Sequence, residues 1–199
     1  MATNIKILIL NLNLKAITMI KYFMVLVVLL QSSLIFAQEV EIKTGPIIEK
    51  YGKVYQVKNP DLQLDNNVEY KVIFDIYTDN SKNNSVNPLL NAVARYLNMH
   101  SQQGILLENM KVAVILHGAA TKYTINELAF QEQFGVSNPN SELLQELKNA
   151  NVELYVCGQS YIANGFKIED KSSNVKLALS ALTALVKYQS EGYNIINFN

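Results

Sequence analysis

Apolar and polar positions change their rhythm along this chain, and the changes mark out its elements. Lys71-Val72-Ile73-Phe74-Asp75-Ile76-Tyr77 is β-branched and aromatic, which predicts a first core strand. An asparagine-rich stretch over residues 79–87 reads as a loop, and Asn87-Pro88 opens a helix with proline in its first turn. Leu89, Leu90, Val93, Ala94 and Leu97 then fall on one face at helical spacing, and Gly104 stops the run. Val112-Ala113-Val114-Ile115-Leu116 is apolar without a break, as expected for a strand buried on both faces.

Asn138-Pro139-Asn140-Ser141 begins the next helix, with Leu143, Leu144 and Leu147 facing inward, and Val152 to Val156 forms a third strand. Gln159 to Ala163 reads as a short helical turn closed by Gly165, and Phe166-Lys167-Ile168 as a minimal fourth strand. Asn174 caps a long predicted helix running to about Glu191, and Tyr193-Asn194-Ile195-Ile196 is the last strand. Strands alternating with helices imply βαβ units and a parallel sheet with helices on both faces. Upstream, residues 38–68 hold short strand-like pieces among turn signals and read as an N-terminal arm, with a small strand at Lys53–Val57, ahead of a domain over residues 69–199.

The last predicted helix is apolar nearly all round, which requires burial on more than one side. Subunit contacts are one explanation, and burial beneath the N-terminal arm is the other.

The first 37 residues differ from the rest. They carry Lys6, Lys15 and Lys21 and no acidic residue, and they end in an apolar run from Phe23 to Leu30, then Gln31-Ser32-Ser33 and Leu34-Ile35-Phe36-Ala37. A lysine, a short apolar core and a small residue at the cut make a secretory signal, too short to span a bilayer comfortably. Met19 is the better start for such a signal, and the destination is periplasmic or secreted. Without residues 1–37 the chain holds 14 Lys+Arg against 17 Asp+Glu, a mildly acidic balance. No basic stripe points to nucleic acid, so small molecules or proteins are the expected partners.

Export favours disulfides, yet the sequence has one cysteine, Cys157. It follows the third strand and precedes a short helix, whose free N–H groups favour a thiolate. A buried, inert cysteine filling space is the other reading. His117-Gly118 ends the second strand and Cys157-Gly158-Gln159-Ser160 the third, the edge at which parallel α/β sheets build their sites. His117 is a candidate proton donor or acceptor beside the thiol, or a hydrogen-bonded structural residue, and His100 reads as a surface or capping residue. Two histidines and one cysteine without ligand spacing argue against a metal, and no glycine-rich phosphate loop implies a cofactor.

Lys111 to Gly118, Asn138-Pro139-Asn140, Leu143-Leu144 and Val156-Cys157-Gly158-Gln159-Ser160 resemble the DsrE/DsrF-like family, in particular its exported branch. Tyr70 to Asp75, Asn91 to Arg95, Val175 to Thr183 and Gln189 to Tyr193 extend the likeness over roughly residues 45–197. The resemblance implies a three-layer α/β/α domain with a mainly parallel five-stranded sheet, assembled as a homo-oligomer, a trimer or hexamer. It also implies a sulfur relay in which Cys157 carries a persulfide between a protein donor and acceptor; His117, from its place at the adjoining strand end, is the expected polar support. Gly118, Gly158, Gln159, Ser160 and Asn138 are the expected substrate-binding residues. The other expectation is an oligomeric binding or assembly module of the same fold, without catalysis.

Overall fold

The computed structural model describes residues 15, 17–24, 41–79, 81 and 84–198. The chain divides into two units, Met1–Val40 and Glu41–Asn199. In the first, residue 15 and residues 17–24 are helical. The rest of the expected signal, beyond Met24 and including Ala37, lies outside the described residues. Among the described residues no helix is long and apolar enough to cross a membrane.

The second unit is built on a five-stranded sheet, here labelled from residue 41 onward. Strands β3 (Tyr70–Ile76), β4 (Met110–Leu116), β5 (Glu153–Cys157), β6 (Lys176–Ala178) and β7 (Asn194–Asn197) lie in the order β6-β5-β4-β3-β7. All four pairings are parallel. The three-layer parallel architecture expected from the alternation of strands and helices is therefore the one observed.

Period two in the strands separates two cores. Val72, Phe74, Ile76, Val112, Val114, Leu116, Leu154 and Val156 face helices α1 (Pro88–Gln102), α2 (Glu127–Phe134) and α3 (Ser141–Asn149). Ile73, Ala113, Ile115 and Cys157 face the other way, against Ala181, Ala184 and Tyr188 of helix α5 (Ala181–Ser190). Asn87 caps α1 through its side-chain oxygen, which accepts from the N–H groups of Leu89 and Leu90, with Pro88 at the first position. Between β5 and β6 lies a short helix, α4 (Gly158–Ala163).

The N-terminal arm pairs β1 (Ile42–Lys43) with β2 (Val54–Tyr55) in antiparallel fashion. It is pinned to α1 by the Asn98 carboxamide, which accepts from the N–H groups of Ile47 and Ile48 and donates to the carbonyls of Ile48, Tyr51 and Gly52. The arm thus covers α1 and not the last helix.

Several expectations change. Phe166–Ile168 is not a strand: Phe166 packs on the core, its ring edge-on to Tyr161, and residues 168–170 form a 3₁₀ turn. The strand falls instead at Lys176–Ala178, pairing with Tyr155–Cys157, and it shortens the last helix at its N-terminal end. That helix is capped by Ser180, which accepts from the Thr183 N–H, and not by Asn174. The Val-Lys-Leu-Ala-Leu segment is read equally well at period two, and pairing to the sheet edge decides it.

Helix α5 buries one side only, since Leu182 and Val186 are 78% and 68% exposed in the single chain. His100, expected as a surface or capping residue, sits in the last turn of α1 with its carbonyl accepting the C-cap N–H, but it is buried: its Nδ1–H donates to the Tyr96 carbonyl and its ring packs on Tyr96 and Tyr70. Desolvation lowers its pKa.

Candidate functional site

At the carboxyl end of the sheet, strand pairing sets the geometry. Leu116 of β4 pairs with Val156 of β5, so one residue further His117 stands beside Cys157 in register. Asp75 pairs with Ile115, on the same face as Cys157.

Cys157 closes β5 and is itself the N-cap of α4. Its sulfur accepts from the backbone N–H of Ser160 at 3.4 Å. Because β6 lies beside β5 and leads directly into α5, the first N–H of α5, from Ala181, also favours the thiolate form of this sulfur. The thiol is only 4% exposed. Burial pushes it up, but the Ser160 hydroxyl and the N–H groups of Ser160, Ala181 and Gln159 outweigh burial and leave it below its ordinary value. The physical cause is convergence of unpaired helix-start donors on one atom, which favours the anion.

Ser160 is held for this task. The Gly118 N–H donates to Ser160 Oγ at 3.2 Å, leaving the hydroxyl proton directed elsewhere. Gly118 itself has φ +52°, and a Cβ there would sit 2.8 Å from the Tyr77 carbonyl oxygen. Gly158 is required for a different reason, since its Cβ would lie 2.8 Å from the Ala178 carbonyl oxygen of β6. Both glycines let neighbouring backbone close in around the cysteine.

His117 continues β4, its N–H donating to the Ile76 carbonyl. Its imidazole turns to β3, with Nε2 2.8 Å from Asp75 Oδ1 and the ring 5.7 Å from that of Tyr77. The side chains of His117 and Asp75 are 26% and 13% exposed. The hydrogen bond of this imidazole is therefore with a carboxylate on one flanking strand, while the thiol stands on the other.

The predicted residues divide accordingly. Cys157, Gly158, Gln159, Ser160, His117 and Gly118 come together at one sheet end. Asn138 does not join them as a free ligand group. Its amide nitrogen donates to the carbonyls of Tyr123 and Ile125 and its oxygen accepts from Asn140, so both ends serve the loop before α3. Sequence reasoning missed Asp75, hidden as one polar letter in a strand, and Ala181, whose contribution is a backbone N–H. Ser180, a good N-cap three residues before Thr183, was the signal that could have located Ala181. Among the described residues no cluster of three or more metal-ligating side chains is found.

An all-parallel α/β/α sheet with a donor-ringed thiol at a strand end defines the class. The sequence model of the DsrE/DsrF-like family matches residues 71–198, and the chain belongs to that family, whose fold is related to sulfur relay. Among solved structures, the chain is similar to MTH1491 of Methanobacterium thermoautotrophicum, a protein of unknown function. Identity there is 20%, over 65% of this chain and 100% of that one, with a TM-score of 0.49. It is also similar to the ychN protein of E. coli at 16% identity, over 65% of this chain and 99% of the other, with a TM-score of 0.47. A search of curated proteins gave no match.

Proposed function

We propose that this protein is an exported sulfur carrier in which Cys157 holds a persulfide. The observation that carries the reading is the thiol itself: at 4% exposure it still lies below its ordinary pKa, because helix-start N–H groups and the Ser160 hydroxyl converge on it. A thiolate is the species that attacks a persulfide. Its sulfur bonds to the outer sulfur of a donor R–S–SH while the donor S–S bond breaks. The donor leaves as a thiolate and takes up the proton that Cys157 released. The products are Cys157–S–SH and R–SH, with no net oxidation, and a second exchange passes the sulfur to an acceptor thiol.

His117, held by Asp75, borders this end of the sheet. In this reading it supports the incoming donor group and does not deprotonate the cysteine, since its hydrogen bond is with Asp75. The exposed Leu182 and Val186 of α5 support assembly of like chains. The acid-free, apolar N-terminal segment supports a place outside the cytoplasm.

Intact-mass measurement after incubation with a persulfide donor tests the proposal. One added sulfur atom is expected, lost in Cys157→Ser. A folded protein whose thiol accepts an alkylating reagent but never the sulfur atom overturns it.

The near-complete burial of Cys157 favours a second reading, a binding or assembly module whose cysteine is structural. Slow alkylation of the kind an ordinary buried thiol gives would support that reading.

A further inference from the structure

A second polar cluster lies apart from the cysteine, on the side of the sheet that carries α2. Just beyond β3, the Asp79 carboxylate accepts from the Ser81 N–H at 3.2 Å and the Ser81 hydroxyl at 2.6 Å. It also accepts from the Tyr123 hydroxyl and the Lys122 ammonium. Burial pushes Asp79 up, but these bonds outweigh it and hold the carboxyl well below the usual carboxylate range. Asp79 is thus ionised and its oxygens are fully engaged.

Lys122 is not. An ammonium has three protons, and among the described residues Asp79 is the one hydrogen-bond partner of this one. The nitrogen sits 5.0 Å from the centre of the Tyr123 ring and 5.9 Å from that of Phe134, in the wall of a cavity of about 340 Å³. Phe134 and Phe166 supply apolar surface in this cavity, and Gln133 and Asn164 line it as well. The Asn164 amide nitrogen donates to the carbonyls of Gly118 and Ser160, so its oxygen is left as an acceptor. The cavity opens beside the residues that follow β3 and β4, the edge at which parallel sheets place ligands.

We propose that this cavity binds a small aromatic monocarboxylate with a hydroxyl on its ring. The carboxylate meets the free protons of Lys122, the ring lies against Phe134 and Phe166, and the hydroxyl donates to the Asn164 oxygen. A single negative charge is indicated. Asp79 already balances Lys122 in part, and the adjoining cavity beyond Gln133 and Phe166 is lined by Glu132 and Asp170 with only Lys167 to offset them. This site does not depend on the sulfur reading of Cys157, and neither result decides the other.

Titration of ¹⁵N-labelled protein with 4-hydroxybenzoate, followed by amide NMR, tests the proposal. Saturable shifts are expected at Ala119, Gln133, Phe134, Asn164 and Phe166. Lys122→Met should weaken binding about tenfold, as loss of one charge-assisted hydrogen bond does. The neutral 4-hydroxybenzyl alcohol should bind the unaltered protein more weakly by a similar factor, a comparison that needs no mutation. Absence of saturable shifts, or equal affinity for the acid and the alcohol, overturns the proposal.

Discussion

The backbone N–H of Ser160 points at the sulfur of Cys157 from 3.4 Å, across the first turn of a six-residue helix that Cys157 itself caps. The same residue adds its hydroxyl, so one serine acts on the thiol twice. Residue 160 is therefore the place to perturb the thiol without touching it.

Ser160→Ala removes the hydroxyl and keeps the N–H. The midpoint of the pH profile for Cys157 alkylation should rise, and the rate near neutral pH should fall by about threefold to tenfold as the thiolate fraction shrinks. Iodoacetamide kinetics across pH on the unaltered and altered proteins measure both.

His117→Gln separates two roles for the imidazole. Since the ring bonds to Asp75, alkylation of Cys157 by a small neutral reagent should stay within about twofold, whereas transfer from a persulfide donor should slow. A large drop in the alkylation rate would mean that the imidazole does act on the thiol.

Gly158→Ala places a methyl group 2.8 Å from the Ala178 carbonyl oxygen and 3.3 Å from that of Leu179. Edge strand β6 must shift, at a cost of about 1–3 kcal/mol. Thermal unfolding should move down by several degrees. Cys157 alkylation should change as well, because Ala181 is displaced together with the strand.

His100 makes stability depend on pH. Its folded pKa is lowered from 6.5 by desolvation, so below that value the unfolded chain binds a proton that the folded chain resists. Stability should be full above about pH 6.5 and fall as the solution is acidified from there. Urea midpoints at pH 7.5 and 5.5 should differ (both values chosen to bracket the ordinary histidine pKa, about one unit either side), and His100→Gln should reduce the difference.

Leu182 and Val186 supply the test of assembly. Sedimentation of the unaltered protein should show a species larger than one chain, and Leu182→Glu with Val186→Glu should return it to the monomer without loss of helix content. A monomeric unaltered protein would refute assembly through this face.

The sequence revealed most where a side chain reports its own burial. Strands β3, β4 and β5 are dense in Val, Ile and Leu, and α1 and α3 repeat leucine at helical spacing, so their places were legible. Helix α2 was not, because it buries a single residue, Phe130, and a stripe that thin leaves no period to read. Strand β6 was lost inside an apolar segment that suits a helix as well as a strand, and only its pairing with β5 distinguishes them. At the site, Cys157 and its glycine neighbour could be placed, but donors from backbone amides carry no letter. Asp75 and His117 are 42 residues apart, and nothing short of strand order brings them together.

The strand order has one more consequence. Strand β3 is flanked by β4 on one side and on the other by β7, which residues 194–197 form. While the chain is being made, β3 keeps one edge of open N–H and C=O groups until residues 194–197 arrive. The sheet is thus completed only once β7 has been added, and until then the waiting edge is where a chaperone, or a second unfinished chain, would bind.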